Sequence, residues 1–214
     1  MFSLRFFYWL LIALCPAILV FCTVNLNIAP TLLYPMGKLA LFVITLLYAS
    51  KIKIRKVKTK EISRGLASGV LLSVLPLLFI LFDGISYLDV SVLVAKLESL
   101  DLKDNFVVFA LALSFGNSAF EELFFRHLCL EKLSLSNPIK SSLLNGLIFS
   151  LHHFVVLCHY FSLEVALFFA FGTGVAGFIW SYLRLKDYSL VELWISHSIC
   201  DIVVILSAGL ILLN

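Results

Sequence analysis

Glu121, Glu122, Arg126, His153, His197 and Asp201 are side chains that can exchange protons or stabilise charge, and all lie within long apolar stretches of this 214-residue sequence. In FALALSFGNSAFEELFFRHLCLEKL the glutamates are adjacent and Arg126 follows Glu122 by four positions. On a helix Glu122 and Arg126 share a face and can pair, while Glu121 points about 100° away. That spacing divides the work: Arg126 holds Glu122 ionised, and Glu121 is the carboxyl placed for proton transfer. In SLLNGLIFSLHHFVVL, Phe149 and His153 share a face and His152 looks elsewhere. In LVELWISHSICDIVVIL, His197 and Asp201 stand at i and i+4, which suits a carboxylate orienting an imidazole or two groups converging on one substrate atom.

Such residues are costly where they are. A charge at the centre of a bilayer costs roughly 2.5–3.5 kcal/mol even on the lenient insertion scale, so it persists mainly when it faces a bundle interior and has a task. The chain is 62% hydrophobic with a mean hydropathy of +1.07, far from soluble usage. Seven stretches are long and apolar enough to span a membrane: 6–28, 31–50, 65–82, 106–130, 139–161, 163–183 and 188–212. The expected fold is an all-α integral membrane protein, a bundle of about seven transmembrane helices with a conical polar cavity open to the cytoplasm. Residues 1–104 would supply the first three helices and their loops, and 105–214 a catalytic core of four helices within one structural domain.

The first run is longer than a signal-peptide core and is expected to be retained as a span. Segment 51–64 carries seven Lys or Arg against one Glu and should stay in the cytoplasm, whereas loop 83–104, with five acidic and two basic residues, falls outside. The N-terminus is then cytoplasmic, the C-terminus external, and the location a cell membrane crossed several times. With that orientation the charges of the fourth, fifth and seventh spans all lie roughly 13–21 Å in from the cytoplasmic side, so one cavity can collect them. The net charge of +3 belongs to the loops, and no nucleic-acid partner is expected. The five cysteines are dispersed among apolar residues without metal spacing and read as core positions. Gly172, Gly174 and Gly177 suggest close helix packing. The stretch Val90–Leu100 reads as a connector in preference to an interfacial helix.

The order Glu121-Glu122-Leu-Phe-Phe-Arg126, Phe149-Ser-Leu-His-His153 and His197-Ser-Ile-Cys-Asp201, each on its own hydrophobic helix, resembles the CPBP family of intramembrane peptidases, also called the CAAX-protease or Abi family. The run FGTGVAGFIWSYLRLKDYSLVELWISH is similar to that family's glycine-containing helix, basic turn and last motif-bearing helix, and the resemblance covers residues 105–207. It implies hydrolysis of a peptide bond within the membrane, best known for removing the last three residues of prenylated CAAX proteins. Glu121 would activate water, His153 would help to hold it, Glu122 and Arg126 would shape the site, and His197 with Asp201 would serve the oxyanion. Family members carry Asn or Asp at the last position. An ionised Asp cannot donate to an oxyanion, so the expected task of Asp201 is to orient and charge His197.

No cofactor is expected, because glutamate-activated water accounts for the residues. The alternative is a zinc site of Glu121, His153 and His197. The expected partners are a membrane-anchored protein or peptide substrate and the lipid bilayer. Two readings compete. One is a non-catalytic membrane factor, for bacteriocin immunity or partner binding, on the same scaffold. The other is a proton-coupled transporter, which needs relay stations across the bilayer where these groups share one depth.

Overall fold

The computed structural model describes residues 3–50, 56–82, 84–99, 102 and 105–212. Among the described residues the chain is helical and contains no strand. The helices are α1 (Leu4–Asn25), α2 (Pro30–Ala49), α3 (Thr59–Leu81), α4 (Ser91–Ser99), α5 (Phe106–Lys132), α6 (Pro138–Tyr160), α7 (Leu163–Leu185) and α8 (Leu190–Leu212). All but α4 are long and apolar enough to cross a membrane. The protein is a multi-pass membrane protein.

Two of the expected boundaries move. α3 begins at Thr59, six positions before the apolar run, because the Lys58 N–H bonds to the Glu61 carboxylate at 2.8 Å and starts the helix in polar sequence. The expected connector at Val90–Leu100 is instead a helix over Ser91–Ser99, with the Asp89 carboxylate accepting the Ser91 N–H at 3.0 Å. Its Leu93 and Leu97, one turn apart, pack against Phe106 and Ala110 of α5 and Ile205 and Leu206 of α8. That apolar seam favours a helix over an open connector. Positions 51–55 of the basic segment and 83, 100, 101, 103 and 104 of the expected outside loop lie outside the described residues.

The chain divides into two compact units, each built from two separate stretches. The first, Met1–Arg55 with Glu122–Asp187, holds α1, α2, the latter part of α5, α6 and α7. Asn137 starts α6 by accepting the N–H groups of Ile139 and Lys140 at 2.8 and 3.3 Å, ahead of Pro138 in the first turn. The α6 and α7 backbones meet where a Cβ on Gly146 would lie 2.8 Å from the Gly174 carbonyl oxygen, and one on Gly174 3.0 Å from Ser150. Gly177 fits closely too, whereas a Cβ on Gly172 would meet nothing within 4 Å, so the packing role expected of that glycine is not seen.

The second unit, Lys56–Glu121 with Tyr188–Asn214, holds α3, α4, the first part of α5 and α8. α3 lies on α8 through Gly65 and Gly69, whose added Cβ atoms would stand 2.8 and 2.9 Å from the carbonyl oxygens of Glu192 and Ser196. This small-xxx-small contact lets the backbones approach where water supplies no driving force. At one end of the pair, Arg64 sits 3.1 Å from buried Glu192 and 3.7 Å above the Tyr188 ring.

Candidate active site

The helix that carries both glutamates is not a uniform α-helix. α5 runs as α over Phe106–Ala112, π over Leu113–Asn117, α over Ser118–Glu121, π over Glu122–Cys129 and α over Leu130–Lys132. Wide turns of this kind are rare and occur frequently at functional sites. They also disturb the regular ladder, and in a bilayer a backbone carbonyl needs a partner. In each unit a side chain from another helix supplies one. The Trp194 indole N–H donates to the Phe115 carbonyl at 2.9 Å in the second unit, and the Asn145 amide donates to the Phe125 carbonyl at 3.0 Å in the first.

In the second unit, the Glu121 Oε2 atom lies 3.6 Å from the His197 Nε2 atom, and that same nitrogen lies 3.6 Å from Asp201 Oδ1. Two carboxylates therefore face one ring nitrogen, at separations too long for direct hydrogen bonds but short enough for charge attraction or a bridging water. The other Glu121 oxygen, Oε1, accepts the Asn117 side-chain N–H at 2.8 Å. Glu121 and His197 are 4% and 3% exposed, while Asp201 is half-buried. Beside them Ser118 and Ser198 join α5 to α8 with their hydroxyls 2.9 Å apart. This contact fixes α8 one residue past His197.

In the first unit, Glu122 Oε1 lies 3.4 Å from Arg126 Nη1, and both residues are 1% exposed. The guanidinium lies 4.1 Å from the Phe149 ring centroid and 5.2 Å from that of Trp180. These ring faces attract a desolvated cation. Gly177 makes the seat possible, because a Cβ there would stand 2.8 Å from Phe149 and 3.3 Å from the Arg126 guanidinium. Phe149 thus has a physical task in its motif: it lies beneath the arginine, and its ring also meets that of His153 at 4.3 Å. His153 Nδ1 is 2.9 Å from the Phe149 carbonyl oxygen. A carbonyl only accepts, so the proton is on Nδ1 and a neutral ring keeps its lone pair on Nε2. His152 is buried with its ring 6.3 Å from Phe125.

The structure therefore brings Glu121, His197 and Asp201 together in one unit, and Glu122, Arg126, Phe149 and His153 are held in the other. Sequence reasoning missed Asn117, four residues before Glu121 and so on its helix face. It also missed Trp194, Ser198 and the Gly65–Gly69 pair, which a search for GxxxG would have found. Among the described residues no three His, Cys, Asp or Glu side chains are arranged to hold a metal ion, and no step below runs through one.

Residues 103–203 match the family model described as type II CAAX prenyl endopeptidase Rce1-like, and all three motifs lie inside that stretch. No curated protein and no solved structure matches the chain. The matched stretch, just under half of the chain, is similar to a Rce1-like domain and is consistent with the CPBP family of CAAX-protease-type intramembrane endopeptidases.

Proposed function

We propose that this protein hydrolyses a peptide bond of a membrane-associated protein or peptide with water activated by Glu121. The observation that carries the reading is the Glu121–His197–Asp201 arrangement, in which one imidazole nitrogen stands 3.6 Å from each carboxylate. The 3.6 Å separation of Glu121 Oε2 from His197 Nε2 suits a water shared by the two groups, and Asn117 on Oε1 keeps that carboxylate aimed. Glu121 takes a proton from water, and the hydroxide oxygen bonds to the scissile carbonyl carbon. His197, oriented by Asp201, stabilises the resulting oxyanion. Glu121 then returns its proton to the leaving nitrogen as the C–N bond breaks. Glu122 and Arg126 act as a fixed structural pair, and the part assigned to His153 rests on its motif.

The N-terminus is assigned to the cytoplasm and the location to a cell membrane, on the strength of the basic segment before α3. Wild-type protein expressed beside Glu121→Ala and His197→Ala, followed by mass spectrometry of host membrane-peptide termini, tests the reading. The expected result is a set of cleaved termini that both substitutions abolish while the protein still inserts. If all three strains show the same termini, the peptidase reading fails. Complete loss of activity with a chelator, restored by zinc, would replace glutamate-activated water by a metal mechanism.

A further inference from the structure

Away from these charges, α6 and α7 enclose an apolar groove of about 300 Å³, lined by Leu143, Gly146, Leu147, Phe171, Gly174 and Phe178. It exists because Gly146 and Gly174 bring two backbones together without side chains to fill the surface above them. Ser150 also lines the groove, but its hydroxyl donates to the Ala170 carbonyl at 2.7 Å and leaves the wall apolar. Leu143, Leu147 and Phe171 are all more than half exposed.

One end of this groove is polar, and the net charge there is positive. α6 begins and α7 ends on the same side, as consecutive antiparallel helices do. On α7 the Phe178 ring stacks on Tyr182 at 6.3 Å, and Lys186 Nζ lies 5.5 Å from the Tyr182 centroid. On α6, Lys140 stands one turn before Leu143, and both lysines are exposed. Arg184, Lys186 and Lys140 against Asp187 leave this end positive. From Phe178 to Phe171 the groove follows α7 for roughly 10 Å, within the ~15 Å hydrocarbon depth of one leaflet, and Tyr182 stands one turn beyond its end. A tyrosine at headgroup level with cations beyond it is the order in which a bilayer presents these chemistries.

We propose that the α6–α7 groove binds one acyl chain of an anionic phospholipid whose phosphate is held by Lys140 and Lys186. Charge selects this occupant: a second copy docked through the same face would set one net-positive end against another, whereas a phosphate brings the opposite charge. The site stands apart from the peptidase reading, and its test measures no cleavage.

The full chain would be extracted from bilayers of equal phosphatidylglycerol and phosphatidylcholine, and its retained lipids counted by native mass spectrometry. Each lysine near a phosphate supports about fivefold in binding, so the expected preference for phosphatidylglycerol is about thirty-fold. In the Lys140→Ala/Lys186→Ala double variant it should fall to near parity. Leu147→Trp, which fills the groove from its lipid side, should strip both lipids with the lysines intact. Unfolding midpoints in phosphatidylcholine alone check that the variants are folded, and the wild-type comparison of the two lipids needs no substitution. Parity in the wild type, or a preference unchanged in the double variant, would overturn the site. So would a dimer that Leu147→Trp dissolves, since the occupant would then be a second copy.

Discussion

Glu121 and Glu122 are neighbours in the chain with opposite surroundings. Glu122 lies in the first unit against Arg126, whose guanidinium is set among Phe149, Trp180 and Phe125, with both charges 1% exposed. Glu121, in the second unit, faces an imidazole at 3.6 Å that a second carboxylate approaches equally. The first arrangement is closed: the arginine is enclosed by aromatic faces, and moving either charge would strand the other. In the second arrangement a proton on His197 has two acceptors at the same distance. On the function proposed above, one glutamate serves stability and its neighbour reaction.

The strongest way to break that contrast is to neutralise each acid. Glu121→Gln preserves an acceptor for Asn117 but removes the base, so cleavage should fall by about 10²–10⁴-fold with little change in unfolding midpoint. Equal loss of activity and stability would mean that Glu121 is structural. In the other unit, Arg126→Met leaves Glu122 buried without its cation and should cost about 3–5 kcal/mol in denaturant unfolding, whereas Glu122→Leu/Arg126→Met together should recover most of it. A double variant as unstable as the single one would show that the aromatic seat, and not the charge pair, carries the stability.

Much of this was legible in the residue pattern. Seven apolar runs gave seven spanning helices, because twenty consecutive apolar residues have few other fates in a chain this hydrophobic. The i,i+4 spacings placed Arg126 near Glu122 and Asp201 near His197, since the helix period is local information. What escaped depended on contacts distant in sequence. The π turns of α5 rest on Trp194 and Asn145 of other helices, and no propensity at Leu113–Asn117 or Glu122–Cys129 announces them. The early start of α3 depends on one carboxylate reaching one N–H, a detail that hydropathy averages away. The proximity of Glu121 to His197 follows from how α8 lies on α5 within the second unit, where Ser118 meets Ser198.

A finer test concerns the half-buried member of the second unit. If Asp201 orients His197, Asp201→Asn removes the carboxylate and should lower activity by about 10–100-fold, as loss of an orienting partner typically does. If position 201 instead donates directly to the oxyanion, the same substitution supplies a better donor, and activity should hold or rise. Cleavage rates of the purified variant separate the two outcomes. A retained rate would transfer the oxyanion role from His197 to residue 201.

The smallest expected effect compares two asparagines. Asn117 donates to a carboxylate oxygen of Glu121 at 2.8 Å, and Asn145 donates to a backbone carbonyl at 3.0 Å while accepting from Ser181 at 2.8 Å. The bonds are alike in length, but their acceptors differ in function. Asn117→Ala leaves Glu121 able to rotate away from its working direction, so kcat should fall by about tenfold while KM stays put, the pattern of an interaction needed mainly in the transition state. Asn117→Gln, which keeps the amide, should restore part of the loss. Asn145→Ala should do the reverse, costing about 1–3 kcal/mol of stability by leaving buried polar groups unmatched, with kcat of the folded fraction unchanged. If both variants reduce stability and activity in the same proportion, the division between a reacting and a structural glutamate does not hold.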